Sequence, residues 1–354
     1  MTGYLLGFLG TFVAIILLAP VARRLKWVDS PGGRKQHDGD IPLAGGAAIF
    51  IGVSLAISQL TGLHTLAITS MLVAGVVLLA VGVWDDQRGL SPHIRIVLTL
   101  AVSMVMVTAE PFQLRNLGNL LGLGDITTGW LAIPFTLFCI VGVVNAMNMS
   151  DGVDGLAGGL SAIALLSMAW VALFAGNVRY MMLCGILCSS VLAFLCFNAR
   201  SPVRRKAAVF LGDGGSMFLG FMVAVLLITL SQSTPTQTRA MTPVTALWLF
   251  ALPLLDTVSV LVWRIVKGSS PFSPDREHLH HILQEAGYTP GQAVAIMWAI
   301  AALLAVIGLC GNALSLPESG MFAVFLAVFA AYLWGMRQAR SLANSLRAVI
   351  GPNV

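Results

Sequence analysis

Long apolar stretches alternate with short polar segments along the whole chain. A stretch of about 20 apolar residues spans the hydrocarbon core of a bilayer as an α-helix. Helices are required there because the backbone polar groups find no water in lipid. The pattern predicts an all-α polytopic membrane protein with about eleven transmembrane helices. The predicted spans are 3–22, 43–60, 66–84, 94–109, 130–145, 156–176, 178–197, 214–231, 243–265, 291–310 and 320–337.

The composition supports a membrane protein. Of the 354 residues, 57% are hydrophobic and only 10% are charged, and the mean hydropathy is +0.88. A soluble protein could not bury this much apolar surface. A disordered chain and an ordinary cytosolic enzyme are therefore excluded. No nucleic-acid partner is expected despite the pI of about 9.2, since basic residues beside membrane spans report topology. With no internal repeat, residues 1–354 are predicted to form one integral membrane domain.

The basic residues predict the orientation. Positive charges concentrate in cytoplasmic loops. With eleven spans, all but three of the twenty Lys and Arg residues fall on one side. The exceptions are Arg115, Arg179 and Arg239. The first span is not a signal peptide, because its basic residues follow it rather than precede it. The amino terminus is predicted outside and the carboxyl terminus in the cytoplasm.

Acidic residues gather at the cytoplasmic ends of the predicted spans. Asp85 and Asp86 close the third span, and Asp213 opens the eighth in a glycine-rich stretch. Such a stretch at a helix amino terminus offers N–H groups to an anion, but the charge of Asp213 favours a metal. Hard oxygen ligands at a membrane face suit Mg²⁺. Solvated helix caps are the alternative for the Asp85–Asp86 pair.

Two further groups of polar residues interrupt the apolar pattern. Asn148, Asp151 and Asp154 lie between the fifth and sixth spans, with glycines that allow backbone to approach a ligand closely. A tight turn is the alternative. Asp256 lies within the ninth span, where an ionisable side chain is expected to face a polar interior. A structural hydrogen bond between spans is its alternative, and Pro253 is expected to kink this helix.

The longest cytoplasmic loop carries Arg276, His278, His280 and His281. A zinc site is the weaker interpretation, because no cysteine lies nearby. Arginine beside histidine favours binding of a diphosphate, and a chance cluster of histidines at the surface is the alternative. In the first cytoplasmic loop, basic residues either mark topology or contact an anion.

In this order, the motifs resemble those of the polyprenyl-phosphate N-acetylhexosamine-1-phosphate transferases, most closely the WecA type. The resemblance extends from Asp29 to His281 and includes the eleven-span layout. The MraY branch, which handles a muramoyl-pentapeptide, differs in its histidine loop and its first loop. The H-I-H-H motif of the WecA type appears here as H-L-H-H, a mild departure. The other matching positions are Asp29, Pro31, Arg34, Lys35, His37, Gly39, Ile41, Pro42, Leu43, Gly45 and Gly46, the Asp85–Asp86 pair, Asn145 to Ala157, Gly212 to Ser216 and Pro253 to Thr257.

The resemblance implies a reaction in the bacterial cytoplasmic (inner) membrane. A UDP-sugar gives its sugar 1-phosphate to undecaprenyl phosphate at the cytoplasmic face, and UMP is released. The product starts a surface polysaccharide such as O-antigen. The expected cofactor is Mg²⁺ or Mn²⁺, and UDP-N-acetylglucosamine is the expected donor. Another UDP-N-acetylhexosamine and, more distantly, an ion-coupled transporter are the alternatives. A homodimer stays open.

Roles follow from the resemblance and the charges. Metal binding is assigned to Asp213 with Asp85 or Asp86, and the other acid of that pair orients or deprotonates the lipid phosphate. The predicted catalytic residues are Asp85, Asp86, Asp213 and His280. The predicted substrate-binding residues are Lys35, His37, Asn148, Asp151, Asp154, Asp256, Arg276, His278 and His281. A single displacement is the simplest route, and covalent catalysis by an aspartate competes with it.

Overall fold

The computed structural model describes residues 1–30, 39–108, 112–200, 204–234, 238–270 and 277–350, with side chains up to residue 339. Lys35, His37 and Arg276 lie outside the described residues. The helices are α1 Thr2–Arg24, α2 Gly45–Ser58, α3 Leu66–Arg88, α4 Pro92–Val107, α5 Ala132–Ser150, α6 Leu156–Phe174, α7 Val178–Asn198, α8 Gly212–Ser231, α9 Pro243–Leu249, α10 Ala251–Val266, α11 Leu279–Glu285, α12 Pro290–Ala313 and α13 Glu318–Ile350. Short 3₁₀ turns cover Thr61–Leu63 and Gly129–Leu131, and β1 Val28–Asp29 pairs antiparallel with β2 Ile41–Pro42.

The prediction of an all-α polytopic membrane protein is confirmed. Each of the eleven predicted segments contains a helix. In the described part of the chain, eight helices are long and apolar enough to cross a membrane, or nine if the bent pair α9–α10 is one span. The apolar helices α2 and α4 are shorter. The number of crossings and the orientation remain predictions.

The ninth predicted span is a broken helix rather than a straight one. α9 and α10 meet at an angle of 82° around Phe250. The cause is Pro253, which has no N–H and whose ring would clash with the carbonyl four residues earlier. That carbonyl belongs to Leu249, the last residue of α9. The break turns α10 and its Asp256 toward α13.

α8 is the central helix of the bundle, and all its residues except Asp213 are buried. Its first turn contacts α2 and α3 backbone to backbone. A Cβ atom on Gly46 would lie 2.3 Å from the Cα of Gly215, and one on Gly82 would lie 2.4 Å from the Cα of Gly214. Only glycine permits this approach. The glycines around Asp213 therefore bring the ends of three helices together.

The outer surface is apolar, as a surface facing lipid must be. Large side chains such as Leu17, Val105, Phe138 and Phe174 are exposed. α13 is the most peripheral of the long helices, since only 17% of its apolar stretch is buried. Membrane embedding accounts for a surface that would aggregate in water.

Candidate functional site

The carboxylate of Asp86, at the end of α3, caps the beginning of α8. Its Oδ1 accepts the backbone N–H of Asp213 at 2.9 Å, and its Oδ2 lies 3.5 Å from the N–H of Gly214. Gly212 enters the helix with φ of +76°, and a Cβ atom there would lie 2.8 Å from Oδ2 of Asp86. The N–H groups that the sequence offered to an anion are thus taken by a protein carboxylate. The same contact brings two acids of the predicted metal site together.

Asn148, near the end of α5, holds the side chain of Asp213. Its Nδ2 donates to Oδ1 of Asp213 at 2.6 Å and to Oγ of Ser216 at 2.9 Å. The Asp213 side chain keeps 35% of its surface exposed. The amide of Asn148 therefore orients the Asp213 side chain, while part of that side chain stays accessible at the surface of the bundle.

Arg95, in the first turn of α4, joins the site and was missed from the sequence. Its Nη1 lies 3.1 Å from Oδ2 of Asp85, 3.3 Å from Oδ1 of Asn148 and 3.9 Å from Oδ1 of Asp213. Asp85 is only 5% exposed, and its Oδ1 accepts the N–H of Leu90 at 2.6 Å. Asp85 is thus engaged by protein groups, and its assignment to metal stays a prediction.

The loop between α5 and α6 is tied to the chain entering α8. Asp154 accepts Nε of Arg200 at 2.7 Å and the N–H of Ala207 at 3.3 Å. Asn198 is buried, accepts the N–H of Gly155 at 2.7 Å and donates to the carbonyl of Val209 at 2.9 Å. Neither Arg200 nor Asn198 was singled out from the sequence. Two neighbouring segments therefore hold the Asp151–Gly155 loop, and its contact with substrate stays a prediction.

The pKa of Asp151, just past the end of α5, reflects the negative charge of the site. Burial raises the pKa of the Asp151 carboxyl well above its ordinary value, and the negative charges of Asp213, Asp86 and Asp154 raise it further. Four carboxyl groups therefore interact at one end of the bundle. A cation there would relieve their mutual repulsion.

The donors at this end suit a divalent cation that also binds substrate. Among the described residues, no three His, Cys, Asp or Glu side chains are arranged to hold a metal ion alone. Mg²⁺ needs no such set, because it uses one or two carboxylates with waters and substrate phosphates. The partly exposed carboxylate of Asp213, supported by Asp86, fits that requirement.

Asp256 anchors the histidine loop. Its Oδ2 lies 2.8 Å from Nδ1 of His278, and its Oδ1 accepts the N–H of Leu279 at 2.9 Å. Oδ1 also accepts the hydroxyl of Tyr332 at 2.8 Å. Asp256 is 7% exposed. The structural alternative given for Asp256, hydrogen bonds to other elements, is therefore present. Its contact with substrate stays a prediction.

His280 lies beside the loop that carries Asp151 and Asp154. It is 2% exposed, and a Cβ atom on Gly152 would lie 3.3 Å from its Nε2. The ring centroid of His281 is 4.1 Å away and that of His278 is 5.7 Å away. Burial, followed by the charges of His281 and His278, lowers the pKa of His280 to about 3. His280 is therefore neutral near pH 7.

The structure brings most of the predicted site to one end of the bundle. One part is the cluster of acids at the start of α8 and at the ends of α3 and α5. The other is the histidine loop, which contacts the first part through Gly152 and His280. The predicted residues found in these two parts are Asp85, Asp86, Asn148, Asp151, Asp154, Asp213, Asp256, His278, His280 and His281. Lys35, His37 and Arg276 lie outside the described residues, so their placement is untested.

Comparison with known proteins gives the same family that the motifs indicate. The family model described as glycosyl transferase family 4 matches residues 68–231. The undecaprenyl-phosphate alpha-N-acetylglucosaminyl 1-phosphate transferase of Salmonella typhi is 35% identical over 343 residues, covering 97% of this chain and 92% of the relative. The proteins of that name from Escherichia coli K12 and Haemophilus influenzae are each 34% identical, with 97% and 96% of this chain covered and 92% and 95% of the relatives. The chain therefore belongs to glycosyl transferase family 4, as a relative of its undecaprenyl-phosphate N-acetylglucosaminyl 1-phosphate transferases over nearly its full length.

Proposed function

We propose that the protein transfers N-acetylglucosamine 1-phosphate from UDP-N-acetylglucosamine to undecaprenyl phosphate. The products are UMP and a lipid-linked pyrophosphate sugar that initiates a surface polysaccharide such as O-antigen. The relatives that match over almost the whole chain carry this activity in their names. The structural observation that supports it best is the group of Asp86, Asp213, Asn148 and Asp151 beside His280.

The reaction balances as one phosphoryl displacement. An oxygen of the lipid phosphate attacks the β-phosphorus of the UDP-sugar, and the bond to the bridging oxygen breaks. UMP leaves with that electron pair. The obstacle is repulsion between two phosphate groups, and a bound Mg²⁺ or Mn²⁺ supplies the neutralising charge. The lipid phosphate is already ionised near pH 7, so the displacement needs little help from a base.

The acids of the site are assigned different roles. Asp213, oriented by Asn148, would hold the metal, with Asp86 fixing the helix that presents it. Asp85 keeps Arg95 in place beside these groups. Asp151 and Asp154 would line the nucleotide side. Attack on the β-phosphorus by one of these aspartates is the competing covalent route.

The histidine loop would bind the diphosphate and the sugar. Neutral His280 retains one ring N–H, which can donate to a phosphate or sugar oxygen without adding charge. His278, His281 and Arg276 would contribute from the same loop, while Lys35 and His37 would contact the lipid phosphate. The last three assignments of Arg276, Lys35 and His37 come from the sequence alone.

The site is proposed to face the cytoplasm of a bacterium, from a single domain in the inner membrane. Eleven crossings put the amino terminus outside and the carboxyl terminus inside. The distribution of basic residues supports this orientation. Reporter fusions after Arg115 and after Arg276 should report opposite sides, and the same side for both would contradict the eleven crossings. A homodimer stays an expectation.

The test of function is release of UMP by the purified protein with undecaprenyl phosphate and Mg²⁺. Competing donors should be UDP-N-acetylglucosamine, UDP-N-acetylgalactosamine, a UDP-6-deoxyhexosamine and the UDP-muramoyl-pentapeptide. The expected order of kcat/KM puts UDP-N-acetylglucosamine first. Preference for another hexosamine would correct the donor only. Preference for the muramoyl donor would refute the WecA type, and solute uptake without any UMP would refute the transferase.

A further inference from the structure

We propose that Tyr332 is a positioning residue that acts through Asp256 on His278. This inference rests on the proposed function, since it concerns the loop that would bind the diphosphate. The hydroxyl of Tyr332 donates to Oδ1 of Asp256 at 2.8 Å, while Oδ2 of Asp256 lies 2.8 Å from Nδ1 of His278. One carboxylate therefore connects α13 with the histidine loop.

The contacts fix the orientation of the imidazole. An ionised carboxylate only accepts hydrogen bonds. Oδ1 of Asp256 already accepts from two donors, the Tyr332 hydroxyl and the Leu279 N–H, and both contacts stabilise Asp256 as a carboxylate. Nδ1 of His278 then carries the hydrogen that points at Asp256, and Nε2 is directed away from it. The carboxylate thereby selects the ring nitrogen that can meet a substrate oxygen.

α13 contributes this hydroxyl from the apolar part of a peripheral helix. Its inward residues Phe322, Phe325 and Phe329 pack on the core with Tyr332. Replacing Tyr332 by phenylalanine would keep the ring packing and remove the hydroxyl that donates to Asp256. A residue that served packing alone would not need the hydroxyl. The hydroxyl contacts a buried acid, which indicates that α13 helps to hold the histidine loop in position.

The first measurement is kinetic. Tyr332→Phe should lower kcat about tenfold, the weight of a hydrogen bond to a charged group, while KM for UDP-N-acetylglucosamine changes less than about twofold. In a His278→Gln background, Tyr332→Phe should have no further effect, because the residue it positions is gone. Tyr288→Phe is the matched control. Tyr288 is exposed and follows α11, at the opposite end of that short helix from His278. Multiplicative losses in the double variant, or full activity of Tyr332→Phe, would overturn the proposal.

The second measurement does not depend on turnover. Hydrogen–deuterium exchange of the full-length protein in detergent should rise in residues 277–285 of Tyr332→Phe and stay unchanged in α8 and α12. Increased exchange throughout the bundle would mean that the hydroxyl stabilises the fold in general, and would overturn the positioning role. A wild-type protein that released no UMP would refute the proposed function instead, and exchange confined to 277–285 would still establish the connection.

Discussion

Asp86 accepts the backbone N–H of Asp213 at 2.9 Å, so one acid of the candidate site holds the helix that presents another. Asp86 thus caps α8 and also belongs to the cluster of negatively charged side chains. Capping alone would place Asp86 favourably at the positive end of the α8 dipole. The nearby Asp213 carboxylate opposes that placement, which is the situation a cation resolves.

Substitutions of Asp86 separate its two roles. Asp86→Asn keeps an acceptor for the N–H of Asp213 but removes the charge, whereas Asp86→Ala also leaves that N–H without its acceptor. We expect both to lose activity, and Asp86→Ala to be less stable than Asp86→Asn by about 1–3 kcal/mol. UMP release and thermal unfolding in detergent measure the two effects. Normal turnover of Asp86→Asn would reduce Asp86 to a cap.

Asp213→Asn is expected to lower kcat by about 10²–10³-fold, because it removes the partly exposed charge assigned to the metal. It should also raise the Mg²⁺ concentration needed for half-maximal activity. Unfolding should change little, since Asp213 is the one residue of α8 that is not buried. Asp125→Asn, in the loop between α4 and α5, is the control for expression and assay. Near-normal rates at saturating Mg²⁺ would exclude Asp213 as a metal ligand.

The sequence predicts the helices well and their breaks less well. Each apolar stretch forms a helix because lipid leaves the backbone no alternative. The 82° angle at Phe250 is only hinted at by Pro253, since a proline removes one hydrogen bond but does not set the direction of the next helix. That direction depends on packing against α5, α12 and α13, all of which are distant from α10 along the chain.

The residues predicted for the candidate site were its acids, its histidines and Asn148, and several residues that contact them, among them Arg95, Asn198 and Tyr332, were missed. Arg95 resembled a topology marker, because a single arginine beside a span usually is one. Asn198 ends an apolar stretch and Tyr332 interrupts one. Such single polar groups are a weak sequence signal, because they usually serve packing. Asp256 drew attention through its charge at depth, yet its partners became known only from the fold.

The contact between α3 and α8 should tolerate no added methyl group. A Cβ atom on Gly82 would lie 2.4 Å from the Cα and N atoms of Gly214, so Gly82→Ala must separate two backbones. We expect a loss of at least about 1–3 kcal/mol in the free energy of unfolding, together with lower kcat, because Asp213 shifts with its helix. Gly142→Ala is the matched control, since nothing lies within 4 Å of that position. Equal stability of the two variants would contradict this packing.

The low pKa of His280 predicts how acid affects the protein. The folded state keeps His280 neutral down to about pH 3, because burial disfavours its charged form, whereas the unfolded chain takes up the proton near its ordinary pKa of about 6.5. Between these values the unfolded state binds the extra proton, so this residue makes stability fall as pH falls. At pH 5 the loss relative to pH 7 amounts to about 2 kcal/mol.

His280→Gln cannot titrate, and we expect its melting temperature to fall less between pH 7 and pH 5 than that of the wild type. The comparison cancels the carboxyl groups, which titrate in both proteins. An equal decrease in His280→Gln and wild type would show that His280 becomes protonated in the folded protein. In that case burial would not lower the pKa of His280 in the folded protein, and its neutral form near pH 7 would no longer be set by its buried position.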